Sequence, residues 1–148
     1  MSWMFRFSVL AAASLAMAGC SSLGSTAATE REAASLARHE AAAGEPVASF
    51  RFFRIDGYNV LGENALAVWT GPRQAYLVAV EEPCHGLRWS LSIGVTSSMS
   101  RVYTDFDRVQ TQDGSCRIRS IRPLDVAALR KSEKSARQAP VEVVEREA

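Results

Sequence analysis

Asp105 and Asp107 stand two apart in the run RVYTDFDRV, and on a strand residues two apart share a face. Two carboxylates on one face are the raw material of acid/base hydrolysis. The same pair is also ordinary on a solvated face or beside arginines. Arg117 and Arg119 alternate in the same way in CRIRSI. With Arg101 and Arg122 close by, and Tyr103, Trp89 or Tyr76 alongside, they form a candidate anion-binding face for an anionic glycan, a lipid headgroup or a peptide carboxylate. Mutual neutralisation competes with that reading, because opposite charges on adjacent strands pair; Arg117 and Arg119 with Asp105 and Asp107 is the arrangement favoured here. Cys84 adjoins His85, but a Cys–His nucleophile needs a free thiol. His85, next to Gly86, reads as a surface turn residue. Ser97, Ser98 and Ser100 have no nucleophile elbow around them. The residues thus offer no catalytic constellation and no cofactor site.

Cys20 carries a different chemistry. It closes the run LAMAGC after an apolar stretch, 7–18, of about a dozen residues, short of the ~20 that cross a bilayer. Arg6 supplies a thin positive start, and residues 9–17 the apolar core of an export signal. The run looks like a bacterial lipobox, whose cysteine takes a diacylglycerol and becomes the new N-terminus. Acyl chains, palmitate among them, then hold the protein on a membrane. An ordinary signal-peptidase site, Ala16-Met17-Ala18, competes with this reading. Cysteine arithmetic favours the lipobox: the chain has Cys20, Cys84 and Cys116, and acylating Cys20 leaves an even pair. Ser21 stands where Gram-negative lipoproteins retained at the inner membrane have Asp. The expected address is therefore the periplasmic face of the outer membrane.

In an oxidising compartment Cys84 and Cys116 should pair. The rival, a metal site of Cys84, His85 and Cys116, has poor chelate spacing and no fourth ligand, so no metal is expected.

The elements that must position these residues fall into zones. Residues 1–19 are the expected signal peptide. Without them the chain has 129 residues, with sixteen basic and sixteen acidic side chains. That balance is no footprint of a nucleic-acid binder. Residues 20–46 read as lipid anchor and tether, rich in Ala, Ser, Thr and Glu. A helix over 30–43 is expected to end at Gly44-Glu45-Pro46, with a mostly Ala face that has little to bury. As flexible chain the tether would span roughly 25–30 Å.

Residues 47–124 hold nearly all the large apolar side chains beyond the signal and form the domain. Strands are expected at 50–55, 65–70 (ALAVWT), 75–80 (AYLVAV), 101–109 and 116–121, with a sixth at 91–95. ALAVWT and AYLVAV flank Gly71-Pro72-Arg73 and make a hairpin. Residues 125–148 are a charged tail, weakly helical or disordered, in which Asp125 caps a short helix to Arg137 anchored by Val126 and Leu129. The expected fold is mainly β: a small antiparallel barrel or sandwich of five to six strands with one disulfide, flanked by a helical or disordered tether and tail.

The order AVWT, AYLVAV, CHGLRW, IGVTSS, RVYTDFDRV and CRIRSIRPLD, over about residues 50–125, resembles a family of small exported domains of unknown function in Gram-negative bacteria. Its most specific part is the pair Cys84 and Cys116 with Asp107 and Val109 between them. The resemblance implies a single disulfide-bearing exported domain and assigns no activity. The sequence therefore points to a non-enzymatic envelope lipoprotein that binds an envelope protein or glycan. The alternatives are an envelope-polymer hydrolase using Asp105 or Asp107, and a small-ligand carrier with a large apolar cavity.

Overall fold

The computed structural model describes residues 23–139. Cys20 lies outside the described residues, and the signal and acylation expectations with it; so do residues 140–148. The elements run α1 (Leu23–Ala41), β1 (Ser49–Arg51), β2 (Gly57–Val60), β3 (Ala65–Gly71), β4 (Gln74–Val80), β5 (Gly94–Val95), β6 (Arg101–Tyr103), β7 (Arg108–Thr111), β8 (Gly114–Pro123) and α2 (Val126–Gln138). All strand pairs are antiparallel. Six strands form one sheet in the order β2-β3-β4-β8-β7-β5, and β1 pairs with β6 in a second. The mainly β, antiparallel, disulfide-bearing fold is the one the sequence implied.

The larger sheet curls into a half-barrel whose two edges approach each other. The Tyr58 hydroxyl on β2 donates to the Leu91 carbonyl, shortly before β5, at 2.9 Å. Large side chains fill the concave side: Leu66, Val68, Val78, Val80, Val109, Ile118 and Ile121, with Phe50 and Val102 brought in by the β1–β6 ribbon. Phe50 stacks on Tyr76 with ring centroids 4.4 Å apart.

The other face of β3 and β4 is built from Ala65, Ala67, Trp69, Ala75 and Leu77. Small side chains there let the helices sit close. Leu36 of α1 and Val126 and Leu129 of α2 pack on this second core. The segment read as a tether is therefore helical and applied to the sheet. His39 is buried there, its Nδ1–H donating to the Ser35 carbonyl at 2.8 Å. The Asp125 cap is present: its carboxylate accepts from the Ala128 N–H at 3.0 Å.

Several expected strands change shape. The run 50–55 is a strand only to Arg51, and a further strand, β2, begins at Gly57. The run 91–95 is a strand only at Gly94–Val95. The run 101–109 is two strands in two different sheets, because the chain reverses at Asp105, whose φ is +63°. Val102, Thr104 and Phe106 alternate as strand residues do, but Asp107 closes a turn across them. Its carboxylate accepts the Tyr103 N–H at 2.7 Å and the Thr96 hydroxyl at 2.7 Å. The Thr96 oxygen in turn accepts the Arg108 N–H at 2.9 Å.

A second reversal, between Ser98 and Arg101, puts Met99 and Ser100 at φ +48° and +58°. Hairpin turns of this hand normally use Asn-Gly. Side chains held there cost of order 1–3 kcal/mol each.

Along β8 the pairing slips by one residue. Ser120 faces Ala79 while Ile118 faces Val80, so Arg119 is the extra residue of a β-bulge. Ile118 and Ile121, three apart, consequently both point into the half-barrel.

Candidate functional site

The loop after β4 is fixed from two sides. Cys84 is joined to Cys116 on β8 with a Cα–Cα distance of 5.5 Å. The bridge closes a separation of 32 residues, for which chain entropy gives about 3–4 kcal/mol. Gly86 then turns the chain at φ +80°, in the left-handed region, and a Cβ there would run into the Asp113 side chain, so glycine is strongly favoured. A single 3₁₀ turn, Leu87–Trp89, follows; Leu87 is buried, and Arg88 and Trp89 point outward.

That loop forms one wall of an open cleft of about 600 Å³. Glu32 and Leu36 of α1 form the second wall, and the β2–β3 turn with Glu63 and Asn64 the third. Arg88 organises the space. Its Nη2 donates to the Glu32 carboxylate at 2.6 Å, and its Nη1 lies 3.7 Å from Glu63. Its guanidinium carbon sits 5.3 Å from the centroid of the Trp89 ring. The amide of Asn64 donates to the Glu82 carboxylate. Trp89 remains 77% exposed, a large aromatic face held by a cation on one side and open to solvent. Glu32 and Glu82 are thus engaged by Arg88 and Asn64, while Glu63 is mostly exposed at the rim. Such a site can bind hydrogen-bonding groups around an aromatic platform. Sequence reading flagged His85, which lies in this cleft. It missed the site itself, whose one legible signal was a Trp beside an Arg in CHGLRW.

The other sequence-flagged residues separate. Asp105 and Asp107 do not share a face. Asp107 is 2% exposed and committed to the turn described above, whereas Asp105 is exposed and accepts from Arg119 Nη1 at 3.2 Å. Arg119 also donates to Glu81 at 2.5 Å, and the Asp105 hydrogen bond followed by that to Glu81 raises its guanidinium above the usual range. The expected pairing of Arg119 with Asp105 is present, and Glu81 takes the place expected of Asp107.

Arg117 faces Arg108 directly across β7–β8, and its side chain has no hydrogen bond or ion pair among the described residues. Arg122 reaches the other way, to the carbonyls of Gly44 at 2.8 Å and Ala43 at 3.1 Å. Arg101 donates to Ser49 at 3.1 Å. Tyr76 is stacked on Phe50 rather than standing beside an arginine strip. Cys84 and Cys116 are spent on the disulfide, which removes them as thiolate ligands. Among the described residues no group of three or more His, Cys, Asp or Glu could hold a metal ion, and no helix is long and apolar enough to cross a membrane.

Residues 4–140 match the model of the family of unknown function DUF6491, and the chain belongs to that family. No curated protein and no solved structure matches it.

Proposed function

We propose that this DUF6491 member is an exported envelope lipoprotein of Gram-negative bacteria, anchored through Cys20 at the periplasmic face of the outer membrane, whose domain binds an envelope glycan in the cleft at Trp89. The observation that carries the ligand class is the exposed indole, backed by Arg88, which is itself clamped between Glu32 and Glu63. A rigid aromatic face covers the apolar side of a sugar ring. The polar groups around it, the exposed Glu63 and His85 and the half-buried Asn64, suit hydroxyls better than an anion. The anchor reading is supported by the LAMAGC run and by the pairing of the other two cysteines, which leaves Cys20 as the odd one.

The hydrolase alternative needed Asp105 and Asp107 together, and they lie in different environments. The carrier alternative called for a large apolar cavity, whereas this cleft is edged by charged side chains.

Two measurements test the proposal. Trp89→Ala should lower retention on isolated cell-wall glycan about tenfold with unchanged melting, since hot-spot aromatics carry a few kcal/mol of binding. Equal retention would refute the cleft reading. Cys20→Ala should release the protein from salt-washed membranes, and a variant that stays with them would refute the anchor.

A further inference from the structure

The free end of the β1–β6 ribbon joins two features that the fold does not use. Phe53 is 97% exposed and Met99 is 94% exposed. They sit at the same end: the Phe52 N–H donates to the Ser100 carbonyl at 3.0 Å, which sets Phe53 beside the Met99–Ser100 turn. The turn is a tight one, with both central residues at positive φ, so Met99 is held outward. Neither side chain contributes to a core.

Around them stand three arginines. Arg51 lies directly opposite Arg101 in the β1–β6 register, a like-charge pairing that disfavours the ribbon unless an anion sits across it. Arg54 projects from the same loop as Phe53, its side chain 82% exposed, and its one partner among the described residues is Asp56 at 2.6 Å. Arg101 donates to Ser49, and the Arg51 side chain has no hydrogen bond or ion pair among the described residues. Of the three guanidiniums only that of Arg54 meets a carboxylate among the described residues.

We infer that this ribbon end docks on an anionic lipid bilayer, with Phe53 and Met99 entering the headgroup region and Arg51, Arg54 and Arg101 meeting lipid phosphates. Apolar protrusions inside a basic collar are the chemistry of interfacial membrane contact. A free anion would draw on the arginines and leave the apolar side chains idle. A protein partner would need a socket for each protrusion and a broad surrounding area, about 800 Å² a side for a stable complex; a fluid bilayer closes around isolated side chains. The docking uses neither the Trp89 cleft nor acylation of Cys20.

The test uses the chain without residues 1–19, the expected signal peptide, and carrying Cys20→Ala, so that neither the apolar leader nor an acyl chain can dominate. It is sedimented with vesicles of phosphatidylcholine alone or mixed with phosphatidylglycerol. Binding to the mixed vesicles that weakens with added salt is expected. Phe53→Ser with Met99→Ser should reduce it about tenfold without moving the melting temperature, given the two apolar side chains withdrawn from the interface. Trp89→Ala should leave it unchanged. Failure to bind the anionic vesicles, or equal binding by the double variant, would overturn the inference. So would a photocrosslinker at position 53 that captures envelope protein and no lipid. None of those results bears on the glycan cleft.

Discussion

The convex face of the six-stranded sheet has two halves that are treated in opposite ways. Over β3 and β4 it is Ala65, Ala67, Ala75 and Leu77, and both helices lie on it. Over β7 and β8 it is Arg108 opposite Arg117 and Gln110 opposite Ser115, and neither described helix covers it. The concave face is lined mainly by apolar side chains in both halves, so the difference is made by the alternate, outward residues of each strand. ALAVWT and AYLVAV have no polar residue at those positions and require a cover; RVQT and CRIRSI do, and water suffices. Helix placement therefore follows from strand composition more than from the helices themselves, since α1 is largely Ala and polar residues.

That account can be broken at the covered half first. Leu129→Ala should destabilise the protein by about 3 kcal/mol, because Leu129 is fully buried and is, with Val126, the apolar hold of α2 on the sheet. A loss under about 1 kcal/mol in denaturant unfolding would mean that the helix is not part of the core.

Ala67→Leu should cost about 2 kcal/mol by overpacking the close approach of sheet and helices. A neutral result would show slack between the layers and remove the reason given for the alanines.

The smallest effect belongs to the bare half. Arg117→Glu should raise stability by about 0.5 kcal/mol, as a like-charge pair with Arg108 becomes an opposite one. A clear destabilisation would mean that Arg117 meets something on that face. That outcome would reopen the anion-binding reading of Arg117 and Arg119.

What could be read in the sequence followed local rules. The β3–β4 hairpin, the disulfide and the Asp125 cap each rest on signals a few residues long or on cysteine arithmetic. The break at Asp105 was hidden, because Val102, Thr104 and Phe106 imitate a strand while the group that forces the turn, the Asp107 carboxylate, acts through Thr96 eleven positions earlier. The docking of α1 was hidden for the reason just given: its partner surface is small side chains, and an Ala-rich helix face gains its worth only from what it fits. The cleft was hidden by distance along the chain, since Arg88 and Glu32 are 56 residues apart. The cover over β3 and β4 could have been inferred from the unbroken apolar runs, which are too apolar for strands wet on one face.

The bulge at Arg119 makes chain length itself a structural variable in β8. Deleting Arg119 would leave Ile118 and Ile121 two apart in a regular strand, where both still face the half-barrel. Cys116 would keep its side of the sheet and with it the tie to Cys84. Ironing the bulge out at constant length does the opposite: pairing Val80 with Arg119 would carry Ile118 to solvent and Arg117 to the core, and would turn the Cys116 sulfur away from Cys84. A lost residue, normally damaging inside a strand, is here the silent change, and a slip that loses nothing is the frameshift in three dimensions.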